Sequence, residues 1–179
     1  MASFIAVLIN SIWFIFPAYF ANASPVIFGG GAPIDFGRHF IDDQRIFGDG
    51  KTWRGWLAGI LAGILIGSLQ GYIYPSLGLD SPVNDLTTID YIFRASLLSF
   101  GALCGDLTGS FIKRRIKIKR GAPFPIVDQI GFLVLAFLFV ALKFETPLSY
   151  ILILFPLTLF LHLGTNIFAY LAGLKDVWY

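Results

Sequence analysis

Charge is scarce in this chain of 179 residues: Lys, Arg, Asp and Glu make up only 13%, where soluble domains carry about 25%. That scarcity argues against an ordinary water-soluble domain. With 56% hydrophobic residues and a mean hydropathy of +0.76, the solvent is expected to be lipid. Cys104 is the single cysteine; an intramolecular disulfide is impossible, and its apolar neighbours suggest packing. Histidine is nearly absent too. His39 and His162 are far apart and lack metal-ligand spacing, which argues against a zinc hydrolase, and His162 among its leucines reads as a packing residue. No charge occurs between Met1 and Ile34. The apolar start therefore lacks the positive region of a secretory signal and reads as a retained span.

A bilayer-crossing helix needs about 20 mostly apolar residues. Five segments approach that requirement: 3–23, 53–74, 94–112, 126–144 and 148–172. The expected fold is all-α, a single integral membrane domain with five transmembrane helices. Two loops, 24–52 and 113–125, are left to form a site. The Asn22-Ala23-Ser24-Pro25 cluster is expected to end the first span and Pro75 the second. Gly59, Gly63 and Gly67, four apart in the second span, would let another helix approach closely.

Orientation follows from lysine and arginine placement. Arg38, Arg45, Lys51 and Arg54 lie in or beside the first loop; Lys113, Arg114, Arg115, Lys117, Lys119 and Arg120 occupy the other. The loop between spans two and three carries Asp80, Asp85 and Asp90, with Arg94 at the edge of the next span. The basic loops are therefore expected in the cytoplasm of a cell-membrane protein, with the N-terminus outside and the C-terminus inside.

Chemistry concentrates on those loops. Asp106 lies inside span three, seven residues or roughly 10 Å before Lys113. A carboxylate near the bilayer centre costs at least about 2.5 kcal/mol and usually lines a polar cavity or binds an ion. On a helix it shares a face with Ser110, Lys113, Arg114 and Lys117. Asp128 lies in the first turn of span four, where a carboxylate also suits the helix dipole. The two spans are joined on the cytoplasmic side, so the carboxylates can converge; two of them with phosphate oxygens form a usual Mg²⁺ site. Finally, Gly50-Lys51-Thr52 resembles the end of a Walker A loop, but Arg45 occupies the position of its first glycine and no apolar strand precedes it. A P-loop NTPase is excluded. A lysine, a hydroxyl and backbone amides at a helix start still favour a phosphate group.

GKTWRGWLAG (50–59) and GDLTGSFIKRRIKIKRGAPFPIVDQIGF (105–132) together resemble the two motifs of phosphatidate cytidylyltransferases, the CDP-diacylglycerol synthases. The matching positions are Lys51, Thr52, Gly55, Asp106, Ser110, Lys113, Arg114 and Asp128. The chain departs from the bacterial and eukaryotic pattern at Lys119-Arg120 and over 125–129, and so looks closer to the archaeal branch, the CDP-archaeol synthases. That resemblance implies a Mg²⁺-dependent membrane enzyme that uses CTP and a lipid phosphate, an unsaturated archaetidic acid, and no nucleic acid. It implies catalytic roles for Lys51, Asp106 and Asp128, with the two aspartates as metal ligands. Gly50, Thr52, Gly55, Ser110, Lys113 and Arg114 would join Lys51 in binding the phosphates. Asp35, Arg45 and Asp49 are further site members of the first loop. The family's second acidic position is absent here, which leaves the number of metal ions open, and no motif encodes the oligomeric state. Two other classes compete. An anion or lipid-phosphate transporter would use Lys51 and Asp106 as a substrate site, and a CDP-alcohol phosphotransferase would need a motif that is absent here.

Overall fold

The computed structural model describes residues 3–77, 86–118, 124 and 126–171. Lys119, Arg120, Asp80, Asp85, Pro125 and the end of the fifth span at 172 lie outside these. Five helices follow one another: α1 (Phe4–Phe28), α2 (Trp53–Leu77), α3 (Thr88–Arg115), α4 (Val127–Val140) and α5 (Leu148–Leu171). Among the described residues the extended backbone is limited to two isolated bridges, Pro33 with Thr52 and His39 with Arg45. The all-helical expectation holds.

Three helices, α1 to α3, are long and apolar enough to cross a membrane; α4 and the apolar part of α5, Leu148–Gly164, are shorter. The expected fourth span is helical only over its fourteen residues, about 21 Å, and residues 141–144 form a turn.

Two expected helix ends move. Helix α1 runs through Pro25 to Phe28; the Ala21 carbonyl that Pro25 leaves without an amide lies against Gly59 of α2, covered by that helix. Helix α1 stops at Gly29, where any side chain would collide with the Pro25 carbonyl. Helix α2 likewise continues past Pro75. Helix α3 begins earlier than expected, at a capping box. There Thr87 Oγ1 accepts from the Asp90 amide and Asp90 accepts from the Thr87 amide. Arg94 thus falls inside α3, buried, rather than at a span edge.

Small residues set the packing. Added methyls at Gly59, Gly63 and Gly67 would meet Ala21 and Leu103, Ser99 and Pro17, and Ala95 and Tyr91, respectively. The stripe therefore brings α2 against both α1 and α3, as its spacing predicts. Gly101 and Gly105 do the same for α3 against α4, meeting Leu135, Ala136, Gly131 and Phe132. The core joins Phe14, Ile15 and Ala18 of α1 to Leu98 of α3, Leu133 of α4 and Leu154 of α5. Tyr19 and Thr158 hydroxyls meet at 2.7 Å across α1 and α5. The close α3–α4 pairing holds Asp106 and Asp128 at the same end of the bundle.

Candidate active site

The first loop is built around Asp35. Its carboxylate accepts from the amides of Gly37, Phe47 and Gly48 at 3.1, 2.9 and 2.9 Å, and from Arg45 Nη2 at 2.6 Å. Burial alone would raise its pKa. The Arg45 guanidinium and the three amides outweigh that and hold the carboxyl well below the usual carboxylate range. Gly48 adopts φ +94°, a conformation that suits glycine and presents its amide to Asp35. Arg45 also bonds Asp49, so Asp35, Arg45 and Asp49 form one network. In it Asp35 shapes the loop, while Arg45 and Asp49 reach the pocket.

Thr52 and Gly55 start α2. Thr52 is buried and its Oγ1 accepts from the Gly55 amide at 3.2 Å, an N-cap bond. Gly55 packs against Pro25 and Gly29. Thr52 and Gly55 thus position the loop, and neither lines the pocket beside them.

That pocket has a volume of about 330 Å³ and is lined by Gln44, Arg45, Phe47, Gly48, Asp49, Gly50 and Lys51 of the first loop, and by Ser110, Lys113 and Arg114 of α3. The two basic segments, about sixty residues apart, thus form one concavity. Lys51 Nζ contacts both Asp106 oxygens, at 2.7 and 2.6 Å. Lys113 Nζ meets Asp128 Oδ2 at 2.7 Å, and the Phe124 amide donates to the same oxygen. Each carboxylate is therefore one lysine away from the pocket. Their side chains are 32% and 33% exposed, so a cation can reach them. Arg114 lines the pocket, and its buried Nε has no hydrogen-bond partner among the described residues. Lys117 leaves the expected stripe: α3 ends at Arg115, and Lys117 lies beyond in a turn at φ +59°.

Sequence reasoning missed the contribution of Arg115. Its guanidinium lies 4.9 and 4.8 Å from the ring centres of Phe40 and Phe111. It donates to the carbonyls of Gln44 and Arg45 at 3.2 and 2.6 Å and pairs with Asp42 at 2.9 Å. It ties the end of α3 to the first loop. Only its place in a basic run was visible in the sequence. Gln44 and Phe47 carried no signal at all.

Fold and site together define a polytopic membrane protein with a pocket lined largely by basic and polar side chains at one end of its helix bundle. A family model, CarS-like CDP-archaeol synthase, matches residues 4–179. The CDP-archaeol synthase of Methanocaldococcus jannaschii is 46% identical over 98% of this chain and 99% of its own. Those of Pyrococcus horikoshii and Thermococcus gammatolerans are 47% and 49% identical, over 95% and 93% of this chain and 96% and 94% of theirs. A solved structure of an intramembrane enzyme for archaeal membrane lipid biosynthesis superposes with a TM-score of 0.74. It is 36% identical and matches 89% of this chain and 94% of its own. The chain belongs to the CDP-archaeol synthase family.

Proposed function

We propose that this membrane enzyme transfers the cytidylyl group of CTP to an unsaturated archaetidic acid, giving CDP-archaeol and pyrophosphate. Family membership names the reaction class. The observation that supports this reading at the site is the shared pocket, with Lys51 and Lys113 each bonded to a carboxylate at its wall. An oxygen of the lipid phosphate attacks the α-phosphorus of CTP. The bond from that phosphorus to the oxygen bridging to the β-phosphorus breaks, and pyrophosphate leaves with its electron pair. The nucleophile is already ionised at neutral pH, so no strong general base is needed. Catalysis rests on holding two anions together and on neutralising charge as it develops.

Asp106 and Asp128 are hard oxygen donors, accessible and at the same end of the bundle, and one or two carboxylates with substrate phosphates suit Mg²⁺. Bound there, Mg²⁺ would neutralise charge on the phosphates. In the free protein Lys51 and Lys113 supply positive charge to these two carboxylates. With nucleotide present, Lys51 turns to the triphosphate and favours departure of pyrophosphate. Arg45, Lys113 and Arg114 bind the remaining phosphate oxygens, and Ser110 donates a hydroxyl. The lysines and arginines of this end favour the cytoplasmic side for it, with the N-terminus outside, by the positive-inside bias. The transporter alternative has no support: the relatives are synthases, and the polar groups sit at a bundle end rather than near the midplane.

Purified protein given Mg²⁺, each of the four NTPs and candidate lipid phosphates tests this reading. Pyrophosphate release is expected only with CTP and the geranylgeranyl ether phosphate. Equal release with all four NTPs would refute the assigned nucleotide.

A further inference from the structure

The lysines that line the pocket also cover the carboxylates behind it. Lys51 Nζ lies 2.7 and 2.6 Å from the two oxygens of Asp106, so one ammonium spans both. Lys113 Nζ lies 2.7 Å from Asp128 Oδ2, and the Phe124 amide donates to that same oxygen. Four of the pocket-lining side chains are basic, Arg45, Lys51, Lys113 and Arg114, against the single acid Asp49. Among the described residues, no three His, Cys, Asp or Glu side chains gather to hold a metal ion.

A divalent cation that arrives alone must part an ammonium from the oxygens it would bind. The displaced lysine stays tethered in the same wall and repels the ion at short range. The ion also lacks oxygen ligands, because two carboxylates fill only part of an octahedral shell. A triphosphate removes both obstacles: its oxygens accept the lysines and complete the shell. On the reading that Asp106 and Asp128 are the metal ligands, we propose that Lys51 and Lys113 lock the metal site of the free protein. Nucleotide opens the lock by drawing the two ammonium groups onto its phosphates. Metal and nucleotide therefore bind cooperatively, each strengthening the other by the same factor. A scarcity of ligands would by itself make metal binding depend on nucleotide; the lock adds that removing a lysine improves it.

Mn²⁺ serves as the probe. Full-length protein in detergent is dialysed against Mn²⁺ with CTP absent or saturating and without lipid phosphate, and the retained metal is measured. The wild-type protein is expected to hold Mn²⁺ firmly only with CTP. Without CTP, Lys51→Met and Lys113→Met should each bind Mn²⁺ about tenfold more tightly than wild type. Adding Asp106→Asn to the first, or Asp128→Asn to the second, should cancel the gain. Lys117→Met, which removes a nearby exposed charge from outside the pocket, should stay within about twofold of wild type. Either lysine variant decides the matter if the other fails to fold. Equal Mn²⁺ affinity in wild type and the lysine variants, or equally firm wild-type binding with and without CTP, overturns the lock. If Asp106→Asn and Asp128→Asn still abolish retention with CTP, the metal reading survives that failure. Retention indifferent to both aspartate variants overturns the lock and the metal reading together.

Discussion

Lys51 and Asp106, fifty-five residues apart, meet through one ammonium nitrogen and both carboxylate oxygens, at 2.7 and 2.6 Å. The lysine comes from the loop before α2 and the aspartate from within α3, so the contact draws the first loop over the end of the helix bundle. Its energetic meaning follows from chemistry more than from stability. A partly exposed ion pair adds little to folding, whereas the same two groups facing a triphosphate and a metal can change a rate by orders of magnitude.

Asp106→Asn and Asp128→Asn are each expected to lower CTP-dependent transfer at least about a hundredfold while the protein still inserts and melts cooperatively. Both keep the shape of the side chain and remove its charge. Labelled CTP assays with size-exclusion profiles and melting curves check this. Near-normal turnover in either variant would remove that residue from the site.

Arg115 positions the pocket wall without facing the pocket. Lysine in its place keeps the charge but not the planar fork that bridges the carbonyls of Gln44 and Arg45. Arg115→Lys should raise the KM for CTP about tenfold, equivalent to about 1.4 kcal/mol, with kcat within about twofold of normal. A fall in kcat at unchanged KM would place Arg115 in the chemical step instead.

The Asp35 network predicts acid sensitivity of the first loop. Its carboxyl has a lower pKa folded than unfolded, so its contribution is present above the unfolded value of about 4. As pH falls below that, the unfolded state takes up the proton first and the contribution is progressively lost. Protease nicking between residues 36 and 50 should therefore accelerate below about pH 4 in the wild-type protein. In Asp35→Asn it should be fast already at neutral pH, reflecting a loss of about 1–3 kcal/mol. Equal nicking of both proteins at neutral pH would show that Asp35 does not hold the loop.

Much of this arrangement was legible in the sequence. The apolar segments give the helices, and the glycines spaced by four in α2 mark the face that meets α1 and α3. The first loop and the basic end of α3 line one pocket, and Asp106 and Asp128 lie behind its lysines. What was illegible depends on partners distant in the chain. Pro25 signals an end in isolation, yet packed neighbours carry α1 through it. Arg94 looks like a charge at a span edge, because only the fold surrounds it with Phe14, Tyr91 and Tyr150. Thr52 matches a phosphate-binding motif, and its N-cap bond to the Gly55 amide is visible only in the fold. Asp35 has a loop aspartate's ordinary context until three amides converge on it.

The glycine stripe makes a sharp stability prediction. A methyl at Gly63 would occupy the space of the Ser99 side chain and lie 3.1 Å from the Pro17 carbonyl, whereas one at Gly164 meets nothing within 4 Å. Gly63→Ala should cost about 1–3 kcal/mol, and Gly164→Ala no more than about 0.5 kcal/mol, read from melting in detergent. Equal effects would mean that α2 does not rest on α3 through these glycines.

The most direct test follows where each phosphorus of CTP goes. Purified protein is incubated with the lipid phosphate, Mg²⁺ and CTP labelled at either the α or the γ position, and the lipid is extracted. The account predicts α label in the lipid and γ label in pyrophosphate, with both transfers lost in Asp106→Asn. Label from the γ position in the lipid, or α label transferred equally well by Asp106→Asn, would contradict it.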